Sequence, residues 1–140
     1  MKKKKLSPAK YREFIKGVGL EELKVVFMQS SVKETFKTPA QIHIKADSSY
    51  KKLKSNKIKV LQKYKLECTR KMKDKPGFTV EIHYSILYST KIPITDEIFN
   101  IFSRTSVRLH TWPYFRQIVH QMTMLMNLPA LVLDTIEIFT

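Results

Sequence analysis

The chain has 140 residues, 43% hydrophobic and 27% charged, with three glycines and one cysteine. That length supports a single domain with its own core; the lone Cys68 excludes an intramolecular disulfide framework, and no run of about 18 apolar residues exists to form a transmembrane helix. The net charge of +14 sits in the N-terminal half, where residues 1–75 hold 22 Lys/Arg against 7 Asp/Glu, while residues 76–140 hold 4 against 5.

We expect one domain over 1–140, with residues 1–6 as a basic tail. The lysine run at 2–5 resembles the start of a signal peptide, but Ser7, Lys10, Arg12 and Glu13 follow where such a peptide needs apolar residues. One cysteine and no such segment point to a reducing, cytoplasmic setting. The basic half has two readings. One is a surface for nucleic acid or another anionic partner. The other, which we favour, is a solvated lysine coat, because only Arg12 and Arg70 among its 22 basic residues offer the bidentate contacts that base readers use.

In chain order, Ser7 and Pro8 start a short helix that Gly17 ends, with Tyr11, Phe14, Ile15 and Val18 as its apolar stripe. The period then changes to two. Leu23, Val25 and Phe27 alternate with Lys24, Val26 and Met28 in a first strand with both faces partly covered. After Pro39, Ile42, Ile44 and Ala46 alternate with His43 and Lys45 in a second. Residues 47–56 read as a polar connection. A long alternation follows, with Ile58, Val60, Tyr64, Leu66 and Cys68 on one face, and Lys59, Lys63, Lys65, Glu67 and Thr69 on the other. Turn residues occupy 71–77, and the chain returns with Phe78, Val80, Ile82, Tyr84, Ile86 and Tyr88 on one face. Two alternating runs joined by a short turn make a hairpin.

Thr95 or Asp96 caps a helix bearing Ile98, Phe99, Ile101 and Phe102, with Val107 extending the face. A second helix is bracketed by Thr111 as cap and Pro113 in the first turn, and by Asn127 and Pro129 at its end. Phe115, Ile118, Val119, Met122, Leu125 and Met126 recur on one face of it. The segment 131–139 closes the chain as an extended apolar tail. This order contains no βαβ alternation. We therefore expect an α+β fold: a four-stranded antiparallel sheet with two C-terminal helices packed on one face and a short N-terminal helix.

The residues offer no enzyme chemistry and imply no cofactor. There is no phosphate-binding glycine loop and no nucleophile elbow. His43, His83, His110 and His120 show no metal-ligand spacing with each other, a carboxylate or a thiol. His43 and His83 fall at outward strand positions, so solvent exposure is expected. Cys68 is expected to be a small buried hydrophobe. Asp96 and Glu97 suit the positive end of a helix dipole. Met28, Met122, Met124 and Met126 serve either as core or as an adaptable apolar surface; Met122 and Met126 favour core.

The stretch Pro113-Tyr114-Phe115-Arg116, then a helix, then Leu128-Pro129-Ala130-Leu131-Val132-Leu133, resembles the signature of SecB and SecB-like export chaperones. That family carries a Pro-Tyr-x-Arg element, an amphipathic helix and a Leu/Phe-Pro-x-Leu-x-Leu tail. The order of upstream elements is also similar, so the resemblance spans about residues 15–139. It implies a four-stranded antiparallel sheet with helices on one face, a homotetramer built as a dimer of dimers, and ATP-independent binding of unfolded or preprotein polypeptides in apolar grooves. Some SecB-like members instead stabilise an antitoxin in a toxin–antitoxin system. On this chain, the resemblance assigns client binding to Phe36, Ile42, Ile44, Leu131, Leu133 and Ile136. Each also has a reading as core. Trp112, Pro113, Tyr114, Arg116 and Pro129 read as the structural motif, with Arg116 tying its helix to a carboxylate or a backbone carbonyl.

Two features depart from the family pattern. Secretion members dock the export ATPase's basic tail on an acidic sheet surface. Here Lys59, Lys63 and Lys65 occupy the hairpin, with Glu67 and Glu81 its only acids, so that docking is disfavoured by charge. The chain ends at Thr140, so the family's C-terminal helix is expected to be short or lost. The expectation is a holdase without cofactor or membrane insertion, with an antitoxin-stabilising chaperone or a basic nucleic-acid-associated protein as alternatives.

Overall fold

A computed structural model describes residues 7–34, 36, 41–69 and 75–128. Helix α1 (Pro8–Lys16) leads into strands β1 (Gly19–Val32), β2 (Gln41–Leu53), β3 (Lys57–Thr69) and β4 (Phe78–Ser89), followed by helices α2 (Asp96–Phe102) and α3 (Arg108–Leu125). The strands form one antiparallel sheet in the order β1-β4-β3-β2, as the alternation predicts. β1 and β2 are its edges.

Period-two patterning puts one face of the sheet into the core. Ile58, Val60, Tyr64 and Leu66 of β3, with Val80, Ile82, Tyr84, Ile86 and Tyr88 of β4, are fully or almost fully buried against the helices. Phe14 of α1 meets Phe102 of α2 edge-on at 5.7 Å, and Phe102 meets Tyr88 at 4.9 Å. Phe115 of α3 stacks on Tyr64 at 4.8 Å. Helices α2 and α3 therefore meet the same sheet face, and α1 packs on α2. The expected caps are present: Ser7 Oγ accepts from the Lys10 N–H, and Thr95 Oγ1 accepts from the Ile98 N–H.

Four sequence expectations need correction. First, 47–56 is not a connection. β2 runs on to Leu53, pairing Asp47 with Lys63 and Tyr50 with Val60, and only residues 54–56 turn. Ser48 faces inward without being apolar, because its hydroxyl donates to Gln62 Oε1. That hidden polar pair breaks the visible alternation.

Second, Thr111 is not a cap and Pro113 is not in a first turn. A π-helical turn, Ser103–Val107, joins α2 directly to α3, so the two expected helices form one continuous segment with Pro113 inside it. Thr111 is buried, and its hydroxyl donates to Val107 O at 2.8 Å, back along the helix. Pro113 has no N–H to give the Leu109 carbonyl four residues earlier, and the helix continues past it.

Third, Leu125 is 79% exposed and Ile101 37% exposed, both at the margins of stripes whose centres are buried. Fourth, His83 is half-buried rather than open. It stacks on Phe27 at 4.6 Å, and its Nε2 lies 2.9 Å from Glu81 Oε2. The expected helix end at Asn127 is present, while Pro129 lies outside the described residues. Asn127 adopts φ 56°, and the Asn127 and Leu128 N–H groups donate to the Met124 and Thr123 carbonyls, the pattern of a Schellman end.

Candidate functional site

Cross-strand pairing sets side chains in rows across the helix-facing side. Ile42, Cys68, Phe78 and Val32 form one row; Ile44, Leu66, Val80 and Ser30 form the next. Directly opposed side chains in such rows lie close enough to form a continuous surface. Phe36 adds to it from the crossover after β1, its ring 6.4 Å from Phe78. Phe36 is held by its own N–H donating to Lys33 O, while the Lys33 N–H donates to Gly77 O. A β-carbon on Gly77 would collide with the Phe36 ring, so glycine makes room for it.

Burial falls toward the β2 edge of this surface. Leu66 and Phe78 are sealed, Ile44 is half-buried against the core, and Ile42 is 42% exposed. Ile42 and Ile44 thus leave a partly open apolar shelf at the start of β2, and Phe36 adjoins the same row at Phe78. Leu131, Leu133, Ile136 and Pro129 lie outside the described residues. Cys68 lies beneath the shelf, and burial pushes its thiol up to about 11, away from thiolate chemistry at neutral pH.

The structural motif divides. Trp112 is buried, with its ring 5.6 Å from Tyr64 and 5.5 Å from Phe115. Arg116 is half-buried, and Pro113 and Tyr114 lie on the outer side of α3. The Tyr64 hydroxyl lies 2.7 Å from Thr111 Oγ1, and burial raises its pKa against the opposing effects of that hydrogen bond and of the Arg108 charge. Of these residues, Trp112 lies where α3 is fastened to β3.

A second apolar surface is more open than the expectation of a β1 covered in part on both faces, and it includes Met28 and Met124, for which an adaptable apolar surface is one reading. Val25, Val26, Phe27 and Met28 are all exposed on the β1 edge, and Met124 and Leu125 are exposed at the end of α3. Met126 lies against Ser30 of β1, which places this end of α3 beside that strand. The signal was present as four consecutive apolar residues, which a strand with one buried face does not need.

A family model for SecB, described as preprotein translocase subunit SecB, matches residues 8–140. The chain belongs to the SecB family. A solved structure of the Mycobacterium tuberculosis Rv1957 SecB-like chaperone, in complex with a ChAD peptide from the Rv1956 HigA1 antitoxin, superposes with a TM-score of 0.74 at 15% identity, covering 90% of this chain and 95% of that one. This likeness shows a shared SecB-like fold. A Streptococcus agalactiae protein of unknown function matches at a TM-score of 0.46 and 10% identity, over 84% of this chain and 96% of that one. No match is found among curated proteins. SecB membership supports a chaperone role. Among the described residues, no group of three or more His, Cys, Asp or Glu could hold a metal ion, and no helix is long and apolar enough to cross a membrane.

Proposed function

We propose that this SecB-family chain is an ATP-independent holdase, binding unfolded polypeptides along the shelf of Phe36, Ile42 and Ile44 and keeping them competent for export or assembly. The carrying observation is Ile42. It is a β-branched apolar residue 42% exposed on the helix-facing side, in line with buried Cys68 and Phe78. Covering it and the half-buried Ile44 with a client side chain gains about 25 cal/mol per Å² and needs no nucleotide. Leu131, Leu133 and Ile136 are proposed as the facing wall, on the family resemblance. The site is proposed to work in the cytoplasm.

Assembly is proposed through β1. The two sheet edges differ: β2 carries Lys45, Lys51 and Lys52, which protect an edge, whereas β1 presents Val25-Val26-Phe27-Met28 without a charge. Pairing of β1 with a second copy would cover that run and supports a dimer, then a dimer of dimers.

A second form of this reading makes the client an antitoxin. It is supported by the antitoxin peptide bound to the Rv1957 relative, and by lysines where docking of a basic ATPase tail needs acids. Fluorescence anisotropy of a labelled, permanently unfolded client tests the site. Ile42→Ala and Ile44→Ala should each weaken binding about fivefold, or about 1 kcal/mol, with the circular dichroism spectrum unchanged. Unchanged affinity in the double variant would refute the shelf.

A further inference from the structure

The opposite face of the sheet has a different chemistry. β2 and β3 place Lys45, Lys51, Lys59, Lys63 and Lys65 on the side away from the helices, alternating with the inward residues from Ile58 to Cys68. Lys45 stands directly across from Lys65, and Lys51 directly across from Lys59. Like charges opposed on neighbouring strands destabilise a sheet. Lys65 is relieved by Glu67 at 3.4 Å and Glu81 at 3.9 Å. Among the described residues, Lys45, Lys51, Lys59 and Lys63 have no carboxylate within 4.0 Å. Four cations thus share about two strand widths of surface without a direct ion pair, with Asp47 across from Lys63 as the one acid among them on β2.

We infer that the open face of β2 and β3 is a docking surface for an acidic polypeptide segment. Charge complementarity selects an anion. Outward side chains along a strand repeat about every 6.7 Å, which matches carboxylates on every second residue of an extended peptide. Two features of the face disfavour nucleic acid. Asp47, Glu67 and Glu81 lie among the lysines, where they repel a continuous phosphate backbone but leave a peptide of spaced carboxylates room to fit. This half of the face also carries no Phe, Tyr or Trp for bases to stack on; the exposed ring, Phe27, lies on β1 at the far edge. The surface is separate from the apolar shelf, so it can hold an acidic partner while the shelf holds a client.

Anisotropy of a fluorescein-labelled peptide of six Glu-Ser repeats, titrated with the full chain, tests this. Binding should weaken as salt rises from about 50 to 200 mM. The variant K45Q/K51Q/K59Q/K63Q should lose about tenfold or more in affinity, while K10Q/K16Q/K33Q/K91Q, which removes the same charge elsewhere, should lose less than about threefold. Equal losses in the two variants would mean that net charge alone is read, and would overturn the site. So would an absence of binding to the unmodified chain, or tighter binding of a dT12 oligonucleotide than of the peptide. Anisotropy of a neutral unfolded client should be unchanged in K45Q/K51Q/K59Q/K63Q, which separates failure of this surface from failure of the shelf.

Discussion

Tyr64 of β3 and Thr111 of α3 share a buried hydrogen bond of 2.7 Å. Thr111 also donates to Val107 O, so one hydroxyl joins the sheet to the helix and to the turn that precedes it. Tyr64→Phe should lower stability by about 1 kcal/mol, and Thr111→Val by about 1–2 kcal/mol, because the second removes both bonds. A double-mutant cycle by urea unfolding should give a coupling of about 1 kcal/mol between them.

Tyr84 supplies the contrast. Its hydroxyl is buried and has no hydrogen-bond partner among the described residues, and burial pushes its pKa well above the usual tyrosine range. Tyr84→Phe removes an unsatisfied group while keeping the ring, which lies 6.2 Å from that of Tyr64. The variant should be as stable as the parent, or more stable by up to about 1 kcal/mol, in the same urea titration.

Stability should fall on both sides of neutral pH. Burial lowers the pKa of His110, whose Nδ1 lies 2.8 Å from the Tyr88 hydroxyl. The unfolded chain then binds the proton more readily than the fold. The contribution is intact above the unfolded value near 6.5 and is lost as pH falls below it. Burial raises Tyr64, Tyr84 and Tyr88. Their contribution is intact below the unfolded value near 10 and is lost as pH rises beyond it. Melting temperature against pH should therefore drop below about 6.5 and above about 10, and His110→Gln should flatten the acid limb alone.

Gly77 links the hairpin turn to the shelf. Gly77→Ala drives a methyl into the Phe36 ring. Phe36 must move away from Phe78, so affinity for an unfolded client should fall about threefold or more by anisotropy, near the loss of one half-buried apolar contact. In a chain that already carries Phe36→Ala, adding Gly77→Ala should change affinity no further.

The β3–β4 hairpin is legible from residues alone, because every inward position from Phe78 to Tyr88 is apolar and both strands are central. β2 is legible only to Ala46. It is an edge strand, and beyond that point Ser48 turns inward and donates to Gln62 Oε1, while Lys52 sits opposite Ile58. Tyr50, packed 4.3 Å from Phe99 with its hydroxyl on Asp96, keeps the two-residue spacing that could have extended it. The start of α3 is misleading in sequence because Thr-x-Pro is an N-terminal signal in local terms. A tertiary hydrogen bond to Tyr64 and a π turn override it. Of the shelf, Phe36, Ile42 and Ile44 follow from the family resemblance. Their graded exposure follows from pairing register, which no local pattern encodes.

The most direct test of the central claim is light scattering from a chemically denatured client diluted into buffer with the full chain and no nucleotide. Scattering should be suppressed once the chain is in stoichiometric excess, and I42A/I44A should restore it. Aggregation at the same rate with and without the chain, at several-fold excess, would contradict it.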